Sequence, residues 1–323
     1  MSAPTGLPDP YTDEHHHDHG ARFLRDPRRL GRLRIAFLLT STTMVAEAVG
    51  GLVSGSLALL ADAGHMLVDS FALLFAFLGA KLAQRPADAR RSFGYARLEV
   101  LVGYTNALLQ IALVSWIAFA AIGRLFAPTP ILSGTMLAVA VLGLCVNLCV
   151  LAVLGRHDRE DVNAAAAFLH VLGDLLGSVA AITAALAVRY LDWLWADAVA
   201  SLLVSLLILR AAIALLRRAA HILLEGVPDG IDLDELARSV EHAVPAVREV
   251  HHVHVWQLTG GSRVATLHAV LAGDSPDAAI LAVRALLHAR YAIDHVTVQL
   301  DGVVCATACA STTASDEASR GAG

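Results

Sequence analysis

The sequence has few charged residues and few cysteines, and each shortage narrows the class of protein. Only 16% of the 323 residues are charged, whereas roughly 25% is usual in a soluble domain. The four cysteines form two separated pairs and do not suggest the disulfide framework of a small secreted protein. Hydrophobic residues make up 56% and cluster in long runs. We therefore expect a polytopic membrane protein with polar ends, surrounded by lipid and without a nucleic-acid partner.

The first residues lack the apolar segment of a cleavable signal peptide. They contain proline and aspartate and continue into residues 15–19 (HHHDH). The first hydrophobic segment follows a basic stretch, so we expect it to stay in the membrane. The histidine cluster is either a flexible tail that gathers metal weakly or an expression tag.

Six apolar segments each approach the roughly 20 residues that cross a bilayer as a helix. They lie at about 34–54, 57–80, 99–123, 132–154, 164–188 and 193–216. Only Ser54, Gly55 and Ser56 separate the first two, which predicts a tight turn.

The distribution of apolar and polar residues along the chain predicts four regions. They are a cytoplasmic histidine-containing tail (1–33), a six-helix transmembrane domain (34–218), a small cytoplasmic domain (219–304) and a disordered tail (305–323).

Basic residues are distributed unequally between the two sides of these segments. The N-terminal flank and the loops after the second and fourth segments are rich in arginine, whereas the opposite side shows only Arg124 and Arg189. Since cytoplasmic flanks carry the excess of Lys and Arg, both termini are expected in the cytoplasm. The loop after the fourth segment is short and has no long histidine-rich insertion. This favours a bacterial inner membrane.

The C-terminal region alternates between helical and strand-like patterns. Residues 232–244 read as an amphipathic helix with Asp232 as its N-cap. Strands are expected at 250–258 and 263–271, with a Thr-Gly-Gly-Ser turn between them. A second helix at 277–290 and a last strand at 295–300 complete an αββαβ order.

One pair of ionisable residues is repeated in two apolar segments. His65 and Asp69 stand four residues apart in the second segment, as do His170 and Asp174 in the fifth. This spacing puts both members on one helix face, and ionisable side chains within a membrane are usually functional. A single pair could equally be a structural hydrogen bond. Two pairs supply the four N and O ligands of a tetrahedral zinc ion, so the repetition favours a metal-transport site.

Three stretches resemble signatures of the cation diffusion facilitator family, and within it most closely the zinc-transporting branch. They are residues 61–69 (ADAGHMLVD), 91–99 (RSFGYARLE) and 169–178 (LHVLGDLLGS). The resemblance covers about residues 30–304. It implies a homodimeric antiporter that exports zinc from the cytoplasm in exchange for protons, with a metallochaperone-like C-terminal domain.

The resemblance also implies that His65, Asp69, His170 and Asp174 form the transport site. Protons and zinc compete for the same imidazoles and carboxylates, so metal binding releases protons. With a reference pKa of about 6.5, histidine exchanges protons in the physiological range. Alternating exposure of this one site would therefore couple zinc efflux to proton entry.

The family binds metal in its C-terminal domain, which makes His251, His268 and Asp301 candidate ligands for a regulatory zinc. Surface histidines on a polar strand are the alternative interpretation. Strand alternation predicts that His252 and His254 share one face while His251 takes the other. Weaker candidates are Asp294, Cys305 and Cys309.

The loop after the second segment departs from a related branch, which carries a metal site of one Asp and two His there. Asp88 is present, but Arg91 and Tyr95 occupy the neighbourhood of those histidines. Because Arg stays protonated and cannot ligate, we predict that this site is absent. Among the other polar residues of the spans, Asp62 is expected to line the ion path or tune the site from one turn before His65.

Two other classes of function fit the sequence less well than transport. A membrane metalloprotease would need an activating residue beside its metal, as in His-Glu-x-x-His, and this motif does not occur. We therefore expect a secondary transporter and not an enzyme. Cobalt or cadmium efflux by the same mechanism is one alternative, and a membrane metal sensor is the other.

Overall fold

The computed structural model describes residues 27–83, 88–154, 162–259, 261–273 and 275–301. Within its helices, the side chains of residues 27–37, 72–73, 76–83, 153–154 and 162–172 are outside the description. The histidine cluster at 15–19 and both Cys305 and Cys309 therefore lie outside the described residues. His170 is described only as part of a helical backbone.

Long helices occupy the N-terminal two thirds of the described chain, and each predicted apolar segment overlaps one of them. They are α1 (Pro27–Ser54), α2 (Leu57–Ala83), α3 (Leu98–Phe126), α4 (Ser133–Leu154), α5 (Val162–Leu191) and α6 (Ala196–Leu223). Within the described residues, four stretches are long and apolar enough to cross a membrane. These are Leu98–Phe126, Ser133–Ala152, Gly173–Leu191 and Ala196–Leu223.

The chain divides into two compact units, Met1–Ser70 with Leu113–Ile208 and Phe71–Ala112 with Leu209–Gly323. In the first unit, small side chains line the contacts between α2, α4, α5 and α6. The buried cluster there includes Ala58, Ala140, Ala185 and Ala200. On α1, a Cβ at Gly50 would stand 2.6 Å from Val139 Cγ2 of α4. Small residues let membrane helices approach closely, so this composition brings the helix backbones together.

A buried carboxylate at the start of α6 caps the start of α2. Asp197 is fully buried and accepts hydrogen bonds from Ser56 Oγ at 2.5 Å, from the Leu57 amide at 2.8 Å and from the Ala58 amide at 3.2 Å. The first amides of a helix have no partner within the helix, and a negative charge there is favourable. Asp197 therefore fixes the N-terminus of α2 against the N-terminus of α6.

The predicted tight turn between α1 and α2 is confirmed and belongs to the same network. Gly55 has φ of +75°, a conformation that glycine adopts without steric cost. Its carbonyl accepts a hydrogen bond from Arg124 Nη1 at the end of α3, and the same guanidinium nitrogen lies 3.6 Å from Asp197 Oδ2. The ends of four helices thus meet at this turn.

The C-terminal region has the predicted αββαβ order: α7 (Leu233–Ala243), β1 (Val247–Gln257), β2 (Arg263–Leu271), α8 (Pro276–Tyr291) and β3 (His295–Asp301). The central strand β2 pairs antiparallel with β1 and parallel with β3. Asp232 is the N-cap of α7 and accepts from the Glu235 amide at 2.9 Å, as predicted. Both helices contribute to the core, through Leu236 and Val240 of α7 and Val283 and Leu287 of α8.

Candidate metal sites

In α2, the predicted ligands His65 and Asp69 face each other across one helical turn. His65 Nδ1 lies 3.6 Å from Asp69 Oδ2, and the two side chains are 20% and 24% exposed. The imidazole and the carboxylate are therefore on one helix face, as the spacing predicts.

In α5, the carboxylate of Asp174 is buried, with 3% of the residue exposed. His170 lies one turn earlier on the same unbroken helix, so helical periodicity places it on the face of Asp174. A carboxylate at this depth in an apolar helix is costly to bury unless it has a positive partner. The burial of Asp174 is consistent with the predicted role of this residue and does not test it.

The helices α2 and α5 run antiparallel and touch next to these ligands. Their relative direction follows from where they begin and end. The start of α2 is hydrogen-bonded to Asp197 at the start of α6, and α5 ends just before α6 begins. The start of α2 therefore lies on the same side as the end of α5. At the contact, both carboxylate oxygens of Asp62 on α2 lie 3.2 Å from the position that a Cβ on Gly177 of α5 would occupy.

The predicted ligands His65 and Asp174 lie at equal distances along their helices from the contact of Asp62 with Gly177. His65 follows Asp62 by three residues and Asp174 precedes Gly177 by three residues, so each is about 4.5 Å further along its helix. Since the helices are antiparallel, both steps lead in the same direction. The geometry therefore sets the His65 turn opposite the Asp174 turn.

The three ligands predicted in the C-terminal domain come together on its sheet. His251 pairs with His268 in the register of β1 and β2, and Asp301 lies at the end of β3. Asp301 Oδ2 is 3.1 Å from His251 Nε2 and 2.9 Å from His268 Nδ1. Hydrogen bonds from Gln299, then from His268 and His251, hold the pKa of Asp301 well below its usual range. Its carboxylate is therefore ionised at neutral pH and is a competent metal ligand.

His252 joins this cluster, against the alternation predicted for β1. The register of β1 shifts between His251 and His254, and His252 has φ of +49°. This bulge turns the His252 ring to the side of its neighbours, where His251, His252 and His268 offer ligand atoms within 4.8 Å of one another. Two consecutive histidines gave no sign of a bulge in the sequence, so the prediction for His252 was wrong.

Two other predicted features lie away from these clusters. Asp88 Oδ1 accepts the amide of Arg91 at 2.8 Å, and the Arg91 guanidinium stacks 4.5 Å from the centre of the Tyr95 ring. These contacts form a turn, and the absence of a loop metal site stays a prediction. Asp294 lies 3.7 Å from His288, both exposed, and is not part of the His251–His268 cluster.

Residues 33–224 match the cation efflux transmembrane domain, and residues 228–303 match the cation efflux protein cytoplasmic domain. The chain belongs to the cation efflux family. The resemblance to cation diffusion facilitators is thereby confirmed. This cation efflux protein is a multi-pass membrane transporter of metal cations and not an enzyme.

Similar proteins cover nearly the same length. The zinc transporter ZitB of Pectobacterium atrosepticum is 46% identical over 84% of this chain and 85% of its own. The protein of that name from Escherichia coli is 44% identical over 90% of this chain and 93% of its own. The cadmium, cobalt and zinc/H(+)-K(+) antiporter of Bacillus subtilis is 37% identical over 74% and 77%.

Proposed function

We propose that this cation efflux protein exports zinc from the cytoplasm in exchange for protons, through a site formed by His65, Asp69, His170 and Asp174. The observation that carries this proposal is the antiparallel contact of α2 and α5 at Asp62 and Gly177. It sets a buried carboxylate of one helix level with the His65 imidazole of the other. Two imidazoles and two carboxylates are a suitable tetrahedral set for zinc.

Protons are the natural counter-ions for this ligand set. Zinc binds only the neutral imidazole and the ionised carboxylate, so every binding event displaces whatever protons these groups carry. A site that opens alternately to each side would load protons on one side and metal on the other. The relative from Bacillus subtilis, whose name includes proton antiport, supports the same coupling.

Zinc is favoured over other ions by the names of the two ZitB relatives. The broader name of the Bacillus subtilis relative makes cobalt and cadmium efflux the second candidate. Ligand type alone does not separate these ions, because selectivity among them depends on geometry.

The proposed transporter crosses a bacterial inner membrane six times, with α1 and α2 as the two spans beyond the four apolar stretches. Residues 1–33 and 219–304 are cytoplasmic, in line with the basic flanks. Residues 34–218 form the transmembrane domain, and the tail predicted at 305–323 lies outside the described residues. The cytoplasmic domain joins two copies into a homodimer. Its ligands His251, His268 and Asp301 bind a regulatory zinc.

Flux into vesicles tests the transport proposal. Purified protein in lipid vesicles should move zinc when a pH gradient is imposed, and Asp174→Ala should abolish this flux. Asp88→Asn, which changes an exposed carboxylate in the loop turn, is the matched control and should transport normally. A panel of zinc, cobalt and cadmium ranks the substrates.

Three results would contradict the proposal. Equal flux with and without a pH gradient would refute proton coupling. Zinc binding without flux in the unaltered chain would indicate a sensor. Normal flux in Asp174→Ala would place the transport site elsewhere.

A further inference from the structure

The bulge in β1 separates the side chains of His252 and Val253. Between the paired positions His251 and His254, β1 has two residues where β2 has one, and an extra residue of this kind re-aims a side chain. Val253 packs against the hydrophobic core of the domain, while the His252 ring lies beside that of His251. Two consecutive imidazoles thus share one side of the sheet, which the alternation of an unbroken strand does not allow.

The backbone of His252 departs from ordinary strand geometry. Its φ of +49° lies in the left-handed region, which is uncommon for a residue that carries a Cβ. Strained positions of this kind persist only where their surroundings hold them, and they cluster at ligand sites. The strain is an observation separate from the positions of the rings, and it points to a function for this side chain.

The imidazoles of His251, His252 and His268 converge. The His252 ring centre lies 4.9 Å from that of His268 and 5.2 Å from that of His251. One ligand atom from each ring lies within 4.8 Å of the other two. Two ligands of one tetrahedral zinc ion stand roughly 3.4 Å apart, given Zn–N bonds of about 2.0–2.1 Å. Small rotations of the three side chains therefore bring them onto one ion.

Asp301 joins the same group from the third strand. Its Oδ2 lies 3.1 Å from His251 Nε2 and 2.9 Å from His268 Nδ1. With His252 included, the donors are three imidazole nitrogens and one carboxylate oxygen. Four protein ligands close a zinc site, whereas three leave a position for water. His252 therefore decides whether this site is closed or open.

We propose that His252 is the fourth ligand of the cytoplasmic zinc site and closes it against water. The proposal rests on the regulatory zinc of the proposed function and deepens it. Closed tetrahedral sites hold zinc as a structural ion, whereas open sites exchange their water for other molecules. The cytoplasmic domain therefore keeps its zinc as a resident ion, in contrast to the transport site, which must release every ion that it binds.

Cobalt absorption and zinc affinity of the full-length protein in detergent test the ligand role. The starting chain carries Asp69→Ala and Asp174→Ala, which disable the transport site. Cobalt is the spectroscopic probe, because a four-coordinate cobalt ion absorbs visible light much more strongly than one with added water ligands. We expect His252→Ala to weaken this absorption and to lower zinc affinity, measured by competition with a chelator, by at least about tenfold.

Three further variants separate the loss of a ligand from the loss of the bulge. His252→Asn keeps a side chain that tolerates the left-handed backbone but replaces the imidazole by an amide, so it should behave as His252→Ala does. His252→Asp supplies a carboxylate ligand and should recover part of the absorption. His254→Ala removes an exposed histidine of the same strand and should change neither measurement. Thermal unfolding without metal confirms that each variant folds.

Unchanged cobalt absorption and zinc affinity in both His252→Ala and His252→Asn would overturn the ligand role. If His251→Ala still abolished zinc binding in that case, a regulatory zinc held by three ligands would stand. If the starting chain bound no zinc, the regulatory zinc and the ligand role of His252 would both be refuted. Zinc flux of the unaltered protein into vesicles tests transport separately from either result.

Discussion

The two groups of histidines and carboxylates in this protein are built by different secondary structures. In the helical unit, His65 and Asp69 are neighbours because they are one turn apart, and any helix would make them so. In the cytoplasmic domain, His251, His268 and Asp301 come from three strands and meet only through the sheet register. Helical sites can therefore be read from local spacing, whereas sheet sites depend on pairing between distant residues.

The largest expected effect is a loss of zinc flux when a carboxylate of the helical group is neutralised, with no change in zinc binding by the cytoplasmic group. Asp69→Asn and Asp174→Asn keep side-chain shape and remove one charged ligand each. Losing a buried charged partner, as in Asp174→Asn, costs about 3 kcal/mol or more, which is roughly a hundredfold in affinity. We expect zinc flux into vesicles to fall by about that factor. Cytoplasmic zinc binding, measured by competition with a chelator, should not change.

If either Asn variant lost cytoplasmic zinc binding as well, the two groups would not be independent. Asp88→Asn is the control for the loss of an aspartate charge, since its side chain is exposed in a turn. It should keep both flux and binding.

The next effect concerns the Asp197 cap on α2, the helix that carries His65 and Asp69. Asp197→Ala removes the cap of α2 and leaves Arg124 without its buried partner. Breaking a buried pair costs about 3 kcal/mol, so thermal unfolding in detergent should shift strongly downward. The αββαβ domain should retain its zinc affinity. Asp192→Asn, an exposed change at the start of the same connection, should leave the unfolding temperature unchanged.

A smaller effect distinguishes His251 from His254, which both lie on β1. His268→Ala and His251→Ala should each lower cytoplasmic zinc affinity by at least about tenfold, because each removes a ligand of the proposed site. His254→Ala is the matched control, since His254 lies on β1 but is exposed. Equal losses of zinc affinity in all three variants would show that the domain binds zinc nonspecifically, through any of its histidines.

The smallest effect concerns the bulge at His252. Glycine adopts φ of +49° without the cost of about 1 kcal/mol that a residue with a Cβ carries. His252→Gly should therefore raise the metal-free stability of the protein by about that amount relative to His252→Ala. Calorimetry of both variants measures the difference. Equal stability would mean that the bulge straightens when the histidine ring is removed.

The sequence predicted most of the secondary structure because its signals are local. The long apolar runs, the glycine turn and the Asp232 cap depend on neighbouring residues, and the αββαβ order followed from alternating patterns. His251, His268 and Asp301 came from family resemblance, and the structure brings them together.

Features that depend on distant residues could not be predicted in the same way. The place of His252 is set by a register shift, and the packing of Asp62 against Gly177 is set by the approach of two helices. Asp197 caps a helix that starts 140 residues earlier. No local pattern indicates a partner at that separation.

The cap on α2 has a mechanical consequence. Asp197 holds the first turn of a helix of 27 residues, which is about 40 Å long at 1.5 Å per residue. A tilt of 10° about the held end would carry the far end through roughly 7 Å, while the first turn would hardly move. Under such a tilt about Gly55, α2 would act as a lever, and His65, about 12 Å from Gly55, would move far less than the far end of the helix.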